Sequence, residues 1–222
     1  MKKIFYYLLA LILVAIISLV IWFDTIAKNA VESYAQKSVG SSVTVGEFRS
    51  DWDQFQVNID FIEVANPPNF ANKNAFVLNH LSAALSEQSQ DKLVVLDQLE
   101  FDGLLFTLEQ NKDQVNLVEL LKQLNRKPKN THKNVSTEHS PNQNNNSYES
   151  CRVKIKQLNF VNTQLFIDTQ WFKETVVVPN VMITDFGGKS GIPLDQVGSE
   201  IMKVALSRIQ AEVEKKGLRL NE

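Results

Sequence analysis

The chain has 222 residues, 44% of them hydrophobic, and sets 23 Lys and Arg against 25 Asp and Glu. A net charge of −2 offers no basic field to a phosphate backbone, so no nucleic-acid partner is expected. The single cysteine, Cys151, cannot close an internal disulfide, which leaves packing to hold the fold together.

Met1-Lys2-Lys3 precedes an uncharged apolar run from Ile4 to Phe23, and Asp24 follows it. At about 1.5 Å per residue the run reaches about 30 Å, the hydrocarbon thickness of a bilayer. It is longer than the apolar part of a secretory signal, and its exit, Trp22-Phe23-Asp24, lacks the small residues a signal peptidase needs. No cysteine follows it for lipid attachment. Residues 1–23 are therefore expected to be an uncleaved transmembrane signal anchor. The leading lysines place the N-terminus in the cytoplasm and everything after Asp24 outside. Tyr6, Tyr7 and Trp22 near its ends suit interfacial aromatic belts.

Apolar positions Ile26, Ala30, Val31, Tyr34 and Ala35 fall at helical spacing and end at Gly40, predicting a helix that lays this stripe on the domain. The period then changes to two. Val43 and Val45 alternate, and Phe55, Val57, Ile59 and Phe61 alternate with Gln56, Asn58 and Asp60, predicting a hairpin about Ser50–Asp53 with one apolar face. Asn66-Pro67-Pro68-Asn69 ends the pair, since neither proline donates to a ladder. Further strands follow over Phe76–Leu85 and Leu93–Glu109. Leu99 and Phe101 have one parity and Leu104, Phe106 and Leu108 the other, so Gly103 marks a place where a bulge restores a common apolar face. Asn116 caps a short helix through Leu117, Leu120, Leu121 and Leu124.

Asn125–Ser150 is polar and almost without aliphatic residues, the composition of a disordered loop. Strand patterning resumes at Val153 and runs through Ile155, Leu158, Phe160, Leu165, Ile167, Val176 and Ile183. A final amphipathic helix is predicted over Pro193–Lys216, with Leu194, Val197, Ile201, Val204, Ala205, Ile209 and Val213 on one stripe. The boundaries are thus an anchor (1–23), a helix with strands and a short helix (24–124), a polar loop (125–150), and strands with a closing helix (151–222). The expected class is α+β: after the anchor, an antiparallel meander folded around an apolar interior with helices covering its ends.

No catalytic constellation emerges, and no cofactor or metal is expected. Of the three histidines, His80 lies in a strand, while His132 and His139 fall in the polar loop, where ligands are not preorganised. Asp51 and Asp53 flank Trp52 as ordinary turn acids. Asp185-Phe186-Gly187 echoes a kinase metal-binding triplet, but no glycine-rich loop, strand lysine or catalytic-loop motif accompanies it. The strand phenylalanines leave two readings open, a filled core or an open groove for acyl chains.

Several elements in this order resemble the AsmA-like family of bacterial envelope proteins. They are Val43-Thr44-Val45-Gly46 after the first helix, the strand Phe55–Val64, Asn66-Pro67-Pro68-Asn69-Phe70, Leu99-Glu100-Phe101-Asp102-Gly103, and Asn116-Leu117 opening a leucine-rich helix. The family usually has Asn-Pro-x-Gly-Phe at the third of these, and asparagine, which tolerates left-handed backbone, stands here in the glycine's place. The resemblance covers residues 1–124 and more loosely 152–185. It implies a protein of the inner membrane, single-pass, with a periplasmic domain whose curled, taco-like sheet binds phospholipid in an apolar groove and assists envelope lipid transport or outer-membrane assembly. The groove candidates are Phe55, Val57, Ile59, Phe61, Leu99, Phe101, Phe106 and Phe160. Roughly ten strands at about 4.8 Å spacing stack to about 50 Å at most, short of a conduit between two membranes. The competing reading is a non-enzymatic scaffold with a closed core that contacts another envelope protein through an edge strand or its last helix.

Overall fold

Helix α1 occupies residues 22–37, followed by a hairpin of β1 (Val43–Asp51) and β2 (Gln56–Ala65). The computed structural model describes residues 22–37, 39–111, 114–124, 151–170 and 172–215. The loop expected over 125–150 therefore lies outside the described residues, as does the apolar run up to residue 21. Among the described residues, no helix is long and apolar enough to cross a membrane. The hairpin turns as predicted: Asp51 Oδ1 accepts from the Asp53 and Gln54 amides at 3.1 and 3.0 Å, an Asx-type closure.

Strands β3 (Asn74–Leu85) and β4 (Leu93–Asn111) continue the meander, each antiparallel to the last. A two-residue β5 (Gln114–Val115) folds back on the end of β4 and leads into helix α2 (Asn116–Leu124). After residue 150 come β6 (Arg152–Val161), β7 (Gln164–Asp168), β8 (Lys173–Val177), β9 (Val181–Phe186), β10 (Ile192–Pro193) and helix α3 (Leu194–Lys215). Among the described residues the result is an α+β fold built on one large, open sheet of ten strands.

The antiparallel meander predicted from the sequence stops at β4. Strands β6 and β7 both pair parallel to it, end to end along its free edge. Parallel pairing needs a long crossover back to the starting end, and the chain between β4 and β6 supplies one. Alternation alone carries no information about strand direction, so the sequence could not distinguish the two.

Two transverse creases cross the sheet. At the first, Gly46, Phe61, Asn79 and Gly103 stand opposite one another with their ladder pairing interrupted but the register kept. Asn162 continues the line beyond β6, and Phe61, Gly103 and Asn162 all have left-handed backbone, at φ 57°, 71° and 53°. The second crease runs through Asp97, Lys156 and Asp185, and here the β3–β4 register shifts between Ala84 and Leu85. Each crease resets the alternation. Along β4 the side chains packed in the core are Val94 and Leu96, then Leu99 and Phe101, then Leu104, Phe106 and Leu108. The reset expected at Gly103 is thus present, as a flipped residue in an unshifted register. A Cβ there would meet Asn79 Nδ2 at 2.4 Å, so side-chain crowding and backbone both require glycine.

Helix α1 corrects a second expectation. Ile26 and Tyr34 of the predicted apolar stripe are exposed, and so is Ala30; Asp24, Ala27, Lys28, Val31, Glu32 and Ala35 turn inward instead. Three of these strap the outer edge of β1: Asp24 Oδ1 accepts from Ser50 N (3.1 Å) and Oγ (2.6 Å), Lys28 Nζ donates to Gly46 O (2.9 Å), and Val45 N donates to Glu32 Oε1 (2.7 Å). The helix therefore covers an edge strand that would otherwise present unpaired backbone groups.

Candidate functional site

The creases divide the core side of the sheet into three bands. The upper band, with Val64, Leu78, Leu104, Phe106, Leu165 and Val176, is closed: Phe106 and Leu165 are fully buried, and Phe76 packs on Phe106 with ring centroids 5.6 Å apart. Leu117 and Leu120 of α2 and Ile201, Ala205 and Ile209 of α3 belong to the same cluster. The spacing of the α3 residues, four apart, gives that helix one stripe against the sheet.

The middle band holds five of the eight groove candidates. Leu99 and Phe160 are buried, and the Phe160 ring stacks on Phe101 at 5.2 Å with an interplanar angle of 14°. Ile59 is buried, whereas Val57 and Phe101 are half-buried. Their register partners Leu81 and Ala83, and Phe48 on β1, are also half-buried. This band thus grades from a filled core at β6 to a partly open apolar strip at β1–β3. Phe106, in the upper band, is wholly enclosed. Phe55 and Phe61 stand apart: both have left-handed backbone, at φ 49° and 57°, and both are about 60% exposed. The strict alternation predicted from Phe55 to Phe61 is broken at the crease, and Ile62 and Val64 continue the inward set in place of Phe61. A Cβ on Gly46 would lie 3.0 Å from Phe61 Cβ, so the ring sits beside a glycine that leaves it room.

The other side of the sheet is polar and internally bonded. Asp60 pairs with Arg49 and, at 2.6 Å, with His80 Nδ1. Glu100 accepts from Gln98 and Asn159, each at 3.1 Å, and Asn162 Nδ2 donates to Asp102 at 2.7 Å. On the second crease Lys156 holds Asp97 at 2.7 Å; that bond, with one from Ser86, keeps the Asp97 carboxyl below its ordinary range. Apart from the Gln98–Glu100 bond, which lies within β4, these contacts cross between neighbouring strands. Among the described residues no group of three His, Cys, Asp or Glu side chains could hold a metal.

A buried polar cluster joins Asn66 and Asn116, two residues singled out in the sequence, to residues that carry no local signal there. Glu109 accepts from Asn72 N and Nδ2, both at 2.8 Å. Asn116, fully buried, accepts on Oδ1 from Glu109 N (2.9 Å) and Leu117 N (2.8 Å) and donates to Asn66 Oδ1 (2.7 Å) and Thr107 O (2.7 Å). Asn66-Pro67-Pro68-Asn69 and Asn116-Leu117, quoted separately in the sequence, meet here; Asn69 takes the left-handed backbone expected of it, φ 79°. Their shared role is to cap α2 and pin the β2–β3 connection, since buried polar groups must be paired. Asp168 joins through Asn72 at 3.2 Å, and the bond from Lys173, followed by that from Asn72, holds its carboxyl below the ordinary range.

The end of the β1–β2 hairpin forms an open depression of about 430 Å³ lined by Arg49, Ser50, Asp51, Trp52, Asp53 and Asn58. Trp52 lies against Phe23 of α1, ring centroids 4.9 Å apart in an edge-on contact. No protein-family model, curated protein or solved structure matches the chain.

Proposed function

We propose that the chain is a membrane-tethered, non-enzymatic module of the bacterial envelope, of AsmA type, that carries phospholipid acyl chains on one face of its sheet and assists lipid transport or outer-membrane assembly. The run Ile4–Phe23 anchors it in the inner membrane, with the N-terminus cytoplasmic and the sheet periplasmic. The observation that carries the reading is the half-buried apolar strip of Phe48, Val57, Leu81, Ala83 and Phe101 on an open sheet whose other face is polar. An acyl chain laid there gains about 0.8 kcal/mol per methylene removed from water. A second reading, a scaffold that contacts another envelope protein, is favoured by the burial of Leu99, Phe106 and Phe160 in the cluster that includes α2 and α3.

Native mass spectrometry of the full chain, extracted from membranes in mild detergent, separates the two. Phospholipid retained at fixed stoichiometry and lost in Val57→Asp and Leu81→Asp, with unchanged circular dichroism, supports lipid carriage. Those positions are half-buried, so the charge tests the strip without entering the closed core around Phe106. A lipid-free chain that cross-links to another envelope protein supports the scaffold.

A further inference from the structure

At the β1–β2 end of the sheet four large apolar side chains face outward. Trp22, Ile26, Trp52 and Phe55 are 67%, 58%, 57% and 60% exposed. Exposed aromatics gathered at one end of a domain mark a surface that something covers, and the chain itself indicates what. Phe23 is the last residue of the bilayer-length apolar run, and its ring touches Trp52. Two hydrogen bonds from Ser50 to Asp24 fix the hairpin to the same turn of helix. The hairpin tip therefore cannot lie far from the depth at which the run ends.

We infer that the β1–β2 hairpin tip is seated in the headgroup–acyl boundary of the bilayer that holds the N-terminal run, so that the sheet stands on the membrane by this end. The inference rests on reading Ile4–Phe23 as a membrane anchor. A residue that closes such a run lies at the interface, a zone roughly 5–10 Å deep. A ring about 5 Å from it shares that depth. Tryptophan suits the zone, with an apolar ring for the acyl side and an N–H for the wet side. Asp51 and Asp53 fall on the hydrated side, where Asp51 is occupied in closing the turn. The half-buried strip at β1–β3 starts at this same end of the sheet, which places its mouth at the lipid surface.

The test uses the full chain reconstituted into phosphatidylethanolamine–phosphatidylglycerol vesicles whose acyl chains carry bromine near the headgroup. With Trp22→Phe and Trp171→Phe, Trp52 is the sole emitter, and it is expected to lose most of its fluorescence relative to unbrominated vesicles. A control with all three tryptophans replaced by Phe and Val177→Trp, on β8 at the opposite edge, is expected to keep its emission. A second probe is Phe55→Cys on a Cys151→Ser background, carrying a polarity-sensitive dye that shifts to the blue on reconstitution. If the chain co-floats with vesicles while Trp52 and position 55 respond no more than position 177, the docking is overturned and the anchor stands. If the chain does not co-float, the anchor reading fails and the docking falls with it.

Discussion

Helix α1 meets the sheet through Asp24, Lys28 and Glu32, whereas helix α3 meets it through Ile201, Ala205 and Ile209. Both sets repeat every four residues, so each forms a stripe down one side of its helix. The polar stripe lies along an edge strand and bonds to backbone and side-chain groups that no further strand takes up. The apolar stripe lies on a sheet face and shields side chains from water. The apolar residues of α1 divide, Ala35 packing against the core while Trp22 and Ile26 stay exposed. The difference separates two jobs. Helix α3 stabilises the domain, and helix α1 protects its edge while leaving Trp22 and Ile26 exposed.

Breaking the apolar contact should cost most. Ile209→Ala removes a side chain that is 2% exposed and should destabilise by about 2–5 kcal/mol in urea unfolding. A loss below about 1 kcal/mol would mean that α3 rests on the sheet without sealing it. Glu32→Ala frees the Val45 amide and should cost about 1–2 kcal/mol. Its clearer signature is association, because an unstrapped β1 can pair with another chain. Sedimentation that becomes concentration-dependent in Glu32→Ala but not in Ile209→Ala would sharpen the contrast; the reverse pattern would abolish it.

Thr163, at the upper crease, tests whether polar groups help only when paired. Its hydroxyl is buried and has no hydrogen-bond partner among the described residues. Thr163→Val should therefore be neutral or stabilise by up to about 1 kcal/mol, read from the urea midpoint. The smallest effect is electrostatic. Because Lys173 and Asn72 lower the folded-state pKa of Asp168, its contribution is present above the ordinary carboxylate range and is lost as pH falls through the lowered value. Asp168→Asn should flatten the acid limb of the stability–pH curve, leaving the part due to Glu63 and Asp97, which are lowered in the same direction.

Much of the sheet was legible because period-two alternation is a local signal. The hairpin, the two long strands, the reset at Gly103 and the capping role of Asn116 all follow from residues within a few positions of one another. Phe61 misled for a physical reason: a phenylalanine at φ 57° looks like the next apolar residue of a strand, and nothing local announces that its backbone is inverted. Phe55 misled in the same way. Apolar spacing points to the wrong stripe of α1, whereas the charge spacing of Asp24, Lys28 and Glu32 at i, i+4 and i+8 marks the face that docks. The parallel pairing of β4 with β6 and β7 depends on a crossover between distant segments, which no window of sequence records. Of the candidate site, the inward residues of the middle band were readable from parity, but how far each is covered is set by long-range packing that parity does not record.

The creases also settle a problem that alternation leaves unsolved. A strand that slips by one residue turns its apolar side chains outward, and the core rejects it. A slip of two keeps every side chain on its proper face, so hydrophobic burial alone barely resists it. Here the creases lie six positions apart, at Asp97 and Gly103 on β4 and at Lys156 and Asn162 on and just beyond β6, and the backbone is inverted at Phe61, Gly103, Asn162 and Asp185. A two-residue slip of β2, β4 or β9 would carry its inverted residue out of line with its neighbours and set a kink against a straight segment. The creases thus work as a key cut across the strands, admitting one alignment where binary patterning would tolerate several.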